Sequence, residues 1–151
     1  MKLPENKAFI FSIFDDTDVS TLEYIRPIYA FLHDIDMKIT KTVWPLSYSG
    51  SSDYKGTHTL EDKPYANEIR KLCERGFEIG YHGPTMVTSR RNEIIRSLEV
   101  FHDVVGYYPR IYASHASNRE NLYWGSERFS CPIIKLLYRL LMREKKNYYQ
   151  G

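Results

Sequence analysis

The sequence predicts an α/β fold in which parallel strands alternate with helices. Short apolar segments rich in aromatic and β-branched residues alternate along the chain with longer segments of helical periodicity. The connections between these strands are long enough for crossover helices, which favours parallel pairing with right-handed connections. Acidic and imidazole side chains follow three of the strand segments, as expected where strand ends build a functional site.

The predicted elements follow one another in a regular order. Strands are predicted over 8–14, 37–44, 77–82 and 108–115, with helices over 21–35, 64–75 and 89–105 between them. The first strand is apolar throughout, which indicates a strand covered on both faces. Asp18 or Ser20 is expected to cap the first helix, and Pro27 predicts a kink in it or a delayed start near Tyr24. A strongly apolar last helix is predicted over 131–146.

Composition narrows the classes of protein. The chain has 151 residues, 42% of them hydrophobic and 26% charged, which is typical of one globular domain. The formal net charge of +2 is too small to indicate a nucleic-acid partner. No segment approaches the ~18 consecutive apolar residues of a membrane span, and no signal peptide is visible. We therefore expect a cytoplasmic protein by default.

The number of strand and helix units indicates an incomplete domain. Four predicted strands cannot close a barrel of seven or eight, and the apolar last helix would need further partners. The single domain over 1–151 is therefore expected to be a fragment of a longer protein. An open sheet and a homodimer that completes the domain are the alternatives.

Four side chains at predicted strand ends form the candidate site. Asp15 and Asp16 end the first strand, His82 the third and His115 the fourth. The carboxyl ends of parallel strands share one edge, so these side chains are expected to meet. Imidazole nitrogens and carboxylate oxygens are zinc ligands, which predicts a divalent metal ion held by Asp16, His82 and His115. Asp15 would then accept the proton of a metal-bound water.

Each of these residues also has a structural interpretation. Acidic residues stabilise a helix N-terminus by about 0.3–1 kcal/mol, and for Asp18 this is the preferred interpretation. His82 precedes Gly-Pro and could be a turn residue. For His115, a structural hydrogen-bonding role and a ligand role are nearly balanced, because only its position at a strand end favours the ligand.

Two segments resemble motifs of the polysaccharide deacetylases, carbohydrate esterase family four. FSIFDDTD, at 11–18, resembles the first motif of that family, and FEIGYH, at 77–82, resembles the second; 109–115 occupies the place of the third. The resemblance implies a deformed (β/α) barrel and the removal of acetyl groups from an oligo- or polysaccharide. It also implies zinc, or else cobalt or nickel, with Asp15 as the base and Asp16 and His82 as ligands.

The chain departs from the family pattern at several positions. Met86 stands where the second motif has another histidine, and His115 is expected to replace that ligand. Ala113 stands where the third motif has an arginine that orients the base, and Arg110 is the nearest substitute. Thr17 replaces the glycine of the first motif, and the late motifs would lie beyond Gly151. The alternatives are a catalytically impaired domain that binds carbohydrate or a protein partner, and an α/β interaction domain that binds cations incidentally.

Aromatic residues are candidates for substrate contact. They make up 15% of the chain, and aromatic rings suit sugar-binding clefts as well as protein cores. Trp44, Tyr112 and Trp124 are predicted to contact the sugar, with core packing as an alternative of at least equal weight for the tryptophans.

Overall fold

Parallel strands alternate with helices in the structure, a computed structural model that describes residues 8–50, 56–115, 118–119, 121, 125–126 and 129–141. The strands are β1 (Phe14–Asp15), β2 (Thr40–Val43) and β3 (Glu78–Tyr81). The helices are α1 (Leu22–Asp34), α2 (Lys63–Glu74), α3 (Arg91–Val105) and α4 (Pro132–Leu141). The predicted α/β class and parallel pairing are confirmed for an open three-stranded sheet.

The sheet has the order β1-β2-β3, so β2 is the central strand. Thr40 pairs with Phe14 on one side and with Glu78 on the other. Beyond β3, Tyr112 forms an isolated parallel bridge with Tyr81. The predicted fourth strand over 108–115 is therefore reduced to a single bridge, although that bridge lies beside β3 in the expected direction.

The first predicted strand is the largest disagreement with the sequence analysis. β1 contains only Phe14 and Asp15; of the apolar residues before it, those over 8–11 are exposed, whereas Ile13 packs against the core. The side chains of Phe9 and Phe11 are 77% and 69% exposed. The physical reason is that β1 is the edge strand of the described sheet and pairs with β2 only over Phe14 and Asp15, so residues 8–11 lie beyond the paired part of the sheet.

The start of α1 also differs from the expectation. Thr21 is the N-cap, with extended backbone angles, in place of Asp18 or Ser20. The helix begins at Leu22 and continues through Pro27, so its start is not delayed to Tyr24. Asp18 therefore lies three residues before the cap and takes no part in it.

The hydrophobic core lies between the sheet and the helices α1, α2 and α3. Its buried members include Ile25, Tyr29, Ile39, Val43, Ile69, Leu72, Ile79 and Phe101. Alternate residues of a strand point to opposite faces, so Lys41, between Ile39 and Val43, shares their face. We call this face the helix side of the sheet; Thr40 and Thr42 lie on the opposite side.

The last helix contributes little to this core. None of the described residues of α4 is buried, and its large apolar side chains are exposed. Its described part is shorter than the predicted 131–146, since residues from 142 onward lie outside the described ranges. Among the described residues, no helix is both long enough and apolar enough to cross a membrane.

A glycine with positive φ ends α3, and it gives a direct test of the helix boundary. Gly106 has φ of 86° and the left-handed conformation, and its backbone N–H donates to the carbonyl of His102. A Cβ at this position would meet no atom within 4 Å, so Gly106→Ala tests backbone strain alone. We expect a loss of about 1 kcal/mol in unfolding free energy, and thermal denaturation should show a Tm lower by roughly 2–4 °C. Gly106→Asn should lose less, because asparagine tolerates this conformation; an unchanged Tm in Gly106→Ala would contradict the assignment.

Candidate metal centre

Loops at the carboxyl edge of the sheet bring Asp18, His82 and His115 together. His82 directly follows β3, and its backbone N–H donates to the carbonyl of Val43 at 3.0 Å, which continues the strand pairing by one residue. Asp18 lies in the turn after β1, where Val19 has φ of 58° and Ser20 N–H donates to the carbonyl of Thr17 at 3.0 Å. His115 follows the Tyr112 bridge. Both histidines thus lie at the same edge of the sheet.

The distances between the polar atoms suit a metal ion. One ligand atom each from Asp18, His82 and His115 lies within 4.8 Å of the other two. Asp18 Oδ1 is 3.8 Å from His82 Nε2 and 3.7 Å from His115 Nε2. Ligands bound tetrahedrally at about 2 Å from zinc lie roughly 3–4 Å apart. The group therefore could hold a divalent ion with only small movements.

Burial strengthens this interpretation. His82 is 3% exposed and His115 is 7% exposed, while Asp18 is half-buried. Within the described residues, neither ring nitrogen of His82 makes a hydrogen bond of normal geometry, and neither does Asp18 Oδ1. Buried polar atoms almost always have a partner, so atoms in this state fit a ligand between them. Nitrogen and oxygen donors of this kind are those that zinc accepts.

The charges of the Asp16 and Asp18 carboxylates also favour a cation between them. Burial and the neighbouring charge of Asp16 raise the pKa of Asp18. Burial would also raise the pKa of Asp16, but its contacts with His82, the Thr17 N–H and Lys41 hold that pKa below its usual value. Asp16 is therefore ionised at neutral pH and repels the charge on Asp18. A divalent ion beside both carboxylates would remove this repulsion.

Asp16 lies beside the group. Its Oδ1 is 3.0 Å from His82 Nε2, and its side chain remains 57% exposed. The predicted ligand Asp16 is thus close to a predicted histidine ligand, while Asp18 is the carboxylate placed between both histidines.

Asp15 has different neighbours. Its Oδ2 accepts a hydrogen bond from the Tyr29 hydroxyl at 2.7 Å and lies 3.2 Å from Lys41 Nζ. Tyr29 and Lys41 belong to the helix side of the sheet, so the carboxylates of Asp15 and Asp16 diverge. The structure does not bring the predicted base into the group of Asp18, His82 and His115.

Trp44 contacts both His82 and His115. It is fully buried, and its Nε1 donates a hydrogen bond to the backbone carbonyl of His82 at 3.1 Å. Its ring centroid lies 5.6 Å from the imidazoles of both His82 and His115. A fully buried ring offers no face to a sugar in this structure, so the core-packing alternative describes Trp44.

The other predicted positions are spread more widely. Tyr112 is exposed near the same edge, with its hydroxyl 3.4 Å from Ser114 Oγ, whereas Trp124 lies outside the described residues. Arg110 lies over the ring of Tyr107 and lines a pocket with Glu78, at the amino end of β3. Arg110 precedes the Tyr112 bridge beyond β3, so β2 and β3 lie between it and Asp15, and the structure does not place it beside the predicted base.

Asp18 is a candidate metal ligand that the sequence did not predict, because its position indicated a helix N-terminus. The spacing Asp16-Thr17-Asp18 could have indicated a metal ligand at Asp18, because two carboxylates separated by one residue in a turn can approach the same point. Their position before a helix favoured the helix N-terminus instead. In the structure Thr21 is the N-cap, and Asp18 lies beside both histidines in a group that could hold a metal ion.

Comparisons of this chain with family models, with curated proteins and with solved structures found no match. The resemblance of 11–18 and 77–82 to deacetylase motifs therefore stays an expectation from the sequence. The side-chain geometry of the metal centre carries the functional proposal.

Proposed function

We propose that this protein is a metal-dependent hydrolase that removes acetyl groups from a carbohydrate. The observation that carries the proposal is the convergence of Asp18, His82 and His115 at the carboxyl edge of a parallel sheet. The motif resemblance at 11–18 and 77–82 supports acetylated oligo- or polysaccharide as the substrate class.

In this proposal Asp18, His82 and His115 hold zinc, and cobalt or nickel would suit the same donors. Such an ion, when bound, would supply a water of lowered pKa and polarise the acyl carbonyl. Three protein ligands leave room for water and substrate, as in catalytic zinc sites. Trp44 holds the backbone of His82, so that the imidazole keeps its place at the end of β3.

A carboxylate next to the ligands would accept the proton of the attacking water. Geometry favours Asp16 for this role, because it is ionised, more than half exposed and adjacent to His82. The motif resemblance assigns the role to Asp15, whose carboxylate contacts Tyr29 and Lys41. Loss of a general base lowers kcat by about 10²–10⁴. Comparing kcat of Asp15→Asn and Asp16→Asn therefore identifies the base.

We also propose that the open sheet is part of a deformed (β/α) barrel of the deacetylase type. In such a barrel the carboxyl ends of the strands carry the site, which is where the three candidate ligands lie. Tyr112 is exposed near this edge and would contact the sugar by stacking.

The second candidate function is a deacetylase-like domain that binds carbohydrate or a protein partner without catalysis. One observation favours it: Met86, at the position of the second-motif histidine, is buried and offers a thioether in place of an imidazole. Thioether sulfur is a poor ligand for a hydrolytic zinc ion.

Two successive measurements, of metal binding and then of acetate release, test the proposal. Metal-free protein is titrated with Zn²⁺ or Co²⁺ by calorimetry, and thermal denaturation is followed with and without the ion. With free metal at about one hundred times Kd, binding adds about 2.7 kcal/mol of stability, which predicts a Tm higher by roughly 5–10 °C. Acetate release from acetylated oligosaccharides is then measured for the metal-loaded and chelated forms.

The outcomes separate the two functions. Stoichiometric metal together with metal-dependent acetate release supports the hydrolase. Stoichiometric metal with carbohydrate binding but no acetate release supports the non-catalytic domain. An unchanged Tm and no calorimetric signal in excess Zn²⁺ and Co²⁺ would rule out the metal centre itself.

A further inference from the structure

The acidic turn, defined here as residues 15–18, extends beyond the end of β1. The main-chain pairing between β1 and β2 consists of Phe14 with Thr40 and Asp15 with Lys41, and it ends before Asp16. Asp16 and Asp18, whose carboxylates face His82, therefore lie beyond the last paired residue of β1. A ligand turn that is held only by its own hydrogen bonds would sample many arrangements.

Two side chains of β2 continue the attachment where the main-chain pairing stops. Thr42 Oγ1 donates to the carbonyl of Asp15 at 3.0 Å, and Lys41 Nζ donates to the carbonyl of Asp16 at 3.0 Å. Both donors are almost fully buried, at the centre of the sheet. They reach the turn from opposite faces of β2, because neighbouring residues of a strand point in opposite directions.

Lys41 makes a second contact with the same turn. Its ammonium lies 3.2 Å from Asp15 Oδ2, which also accepts the Tyr29 hydroxyl. Burial lowers the pKa of Lys41, and the charge of Asp15 opposes that effect. A buried charge is costly unless it is paired, so the pair with Asp15 and the carbonyl of Asp16 keep Lys41 in place.

We propose that Lys41 and Thr42 are positioning residues that fix the acidic turn so that Asp16 and Asp18 face His82. Metal sites need their ligands within about 0.5 Å of the productive geometry, and rigid strands supply that precision better than loops. Through these two side chains the central strand determines where the carboxylates lie. As a role in metal binding this inference rests on the proposed function, whereas the rigidity of the turn can be measured without metal.

The first test uses Thr42→Val in metal-free protein, with Thr40→Val as the matched control. Both threonines are buried on the same face of β2, but Thr40 Oγ1 donates to Glu78 Oε2 at 2.7 Å and does not contact the turn. Amide hydrogen exchange is measured at Thr17 and Ser20. Thr42→Val should accelerate exchange at these amides about tenfold relative to core amides, since opening free energy falls with a lost hydrogen bond.

Lys41→Met is compared in the same metal-free experiment. It removes the donor to Asp16 without adding a polar group, and it should also accelerate exchange at Thr17 and Ser20. The metal-free form is used for this variant because loss of an ammonium also changes the charge that a cation would experience. Unchanged exchange in Thr42→Val, or equal acceleration in Thr40→Val, would overturn the inference.

The second test measures Co²⁺ affinity and the visible absorption spectrum of bound Co²⁺. Thr42→Val should bind Co²⁺ about tenfold more weakly than wild type and show an altered spectrum, because changes to residues that orient metal ligands typically cost 10–100-fold in affinity. Thr40→Val should match wild type in both measurements. Equal affinity and an identical spectrum in Thr42→Val would overturn the role in metal binding. If the wild type itself binds no Co²⁺, the proposed function fails, and the exchange experiment still decides whether Lys41 and Thr42 fix the turn.

Discussion

Asp18→Asn should greatly weaken metal binding while leaving the metal-free protein folded. Asp18 Oδ1 is the atom that lies between the two imidazoles, 3.8 Å from His82 Nε2 and 3.7 Å from His115 Nε2. Replacing a ligand should cost more than the 10–100-fold typical of outer-sphere changes, so we expect Kd for Zn²⁺ to rise by more than about a hundredfold. Calorimetric titration of metal-free protein measures this directly.

The same substitution has a distinct effect on the metal-free protein. Burial raises the pKa of Asp18, so the folded state holds a proton more tightly there than the unfolded state does. Stability contributed by Asp18 is therefore lost as pH rises through its folded pKa, and at neutral pH the carboxylate destabilises the metal-free fold. Asp18→Asn removes that charge, so Tm of the metal-free variant at neutral pH should equal or exceed that of wild type.

Two other aspartates provide comparisons for this experiment. Asp16→Asn should weaken Zn²⁺ binding by about tenfold, because it removes a nearby charge and a contact with His82 but not the shared ligand atom. Asp103→Asn changes an exposed aspartate on α3 and should leave Kd unchanged. A larger loss in Asp16→Asn than in Asp18→Asn would restore Asp16 as the principal carboxylate ligand.

Trp44→Ala should be the most destabilising single substitution at the site. Trp44 is fully buried, and its removal leaves a cavity and an unpaired carbonyl at His82. Truncation of a buried tryptophan costs about 3–5 kcal/mol, which for a chain of this size predicts a Tm lower by about 10 °C or more. Thermal and urea denaturation of metal-free protein measure the loss.

A matched aromatic substitution and a metal titration complete this test. Tyr24→Ala removes an exposed aromatic ring from α1 and should change unfolding free energy by no more than about 0.5 kcal/mol. Trp44→Ala should also weaken Zn²⁺ binding, since its ring packs against both imidazoles. Wild-type stability and affinity in Trp44→Ala would show that the ring does not support the site.

The helices were the most predictable part of the fold. Predicted bounds of 64–75 and 89–105 compare with Lys63–Glu74 and Arg91–Val105. Their apolar residues recur with the helical period, and glycines at 76 and 106 mark their ends. Both signals are local in the sequence, so helix bounds can be predicted without knowledge of tertiary contacts.

The strand ends were harder to predict, because strand length depends on partners. Apolar residues over 8–14 predicted a covered strand, yet only Phe14 and Asp15 pair with β2. The segment around Tyr112 likewise forms one bridge with Tyr81 in place of a full strand. A strand extends only as far as a neighbour offers hydrogen-bonding groups, and the sequence of one segment does not state where its neighbour lies.

The sequence by itself determined which chemical groups lie at the strand ends: adjacent carboxylates at the end of β1 and single histidines after β3 and near Tyr112. Parallel pairing then required these groups to share one edge. Only the tertiary structure decided that Asp18 lies between the histidines while Asp15 pairs with Lys41. The reason is that successive side chains diverge along extended backbone, and the path of the turn after β1 depends on its contacts with β2.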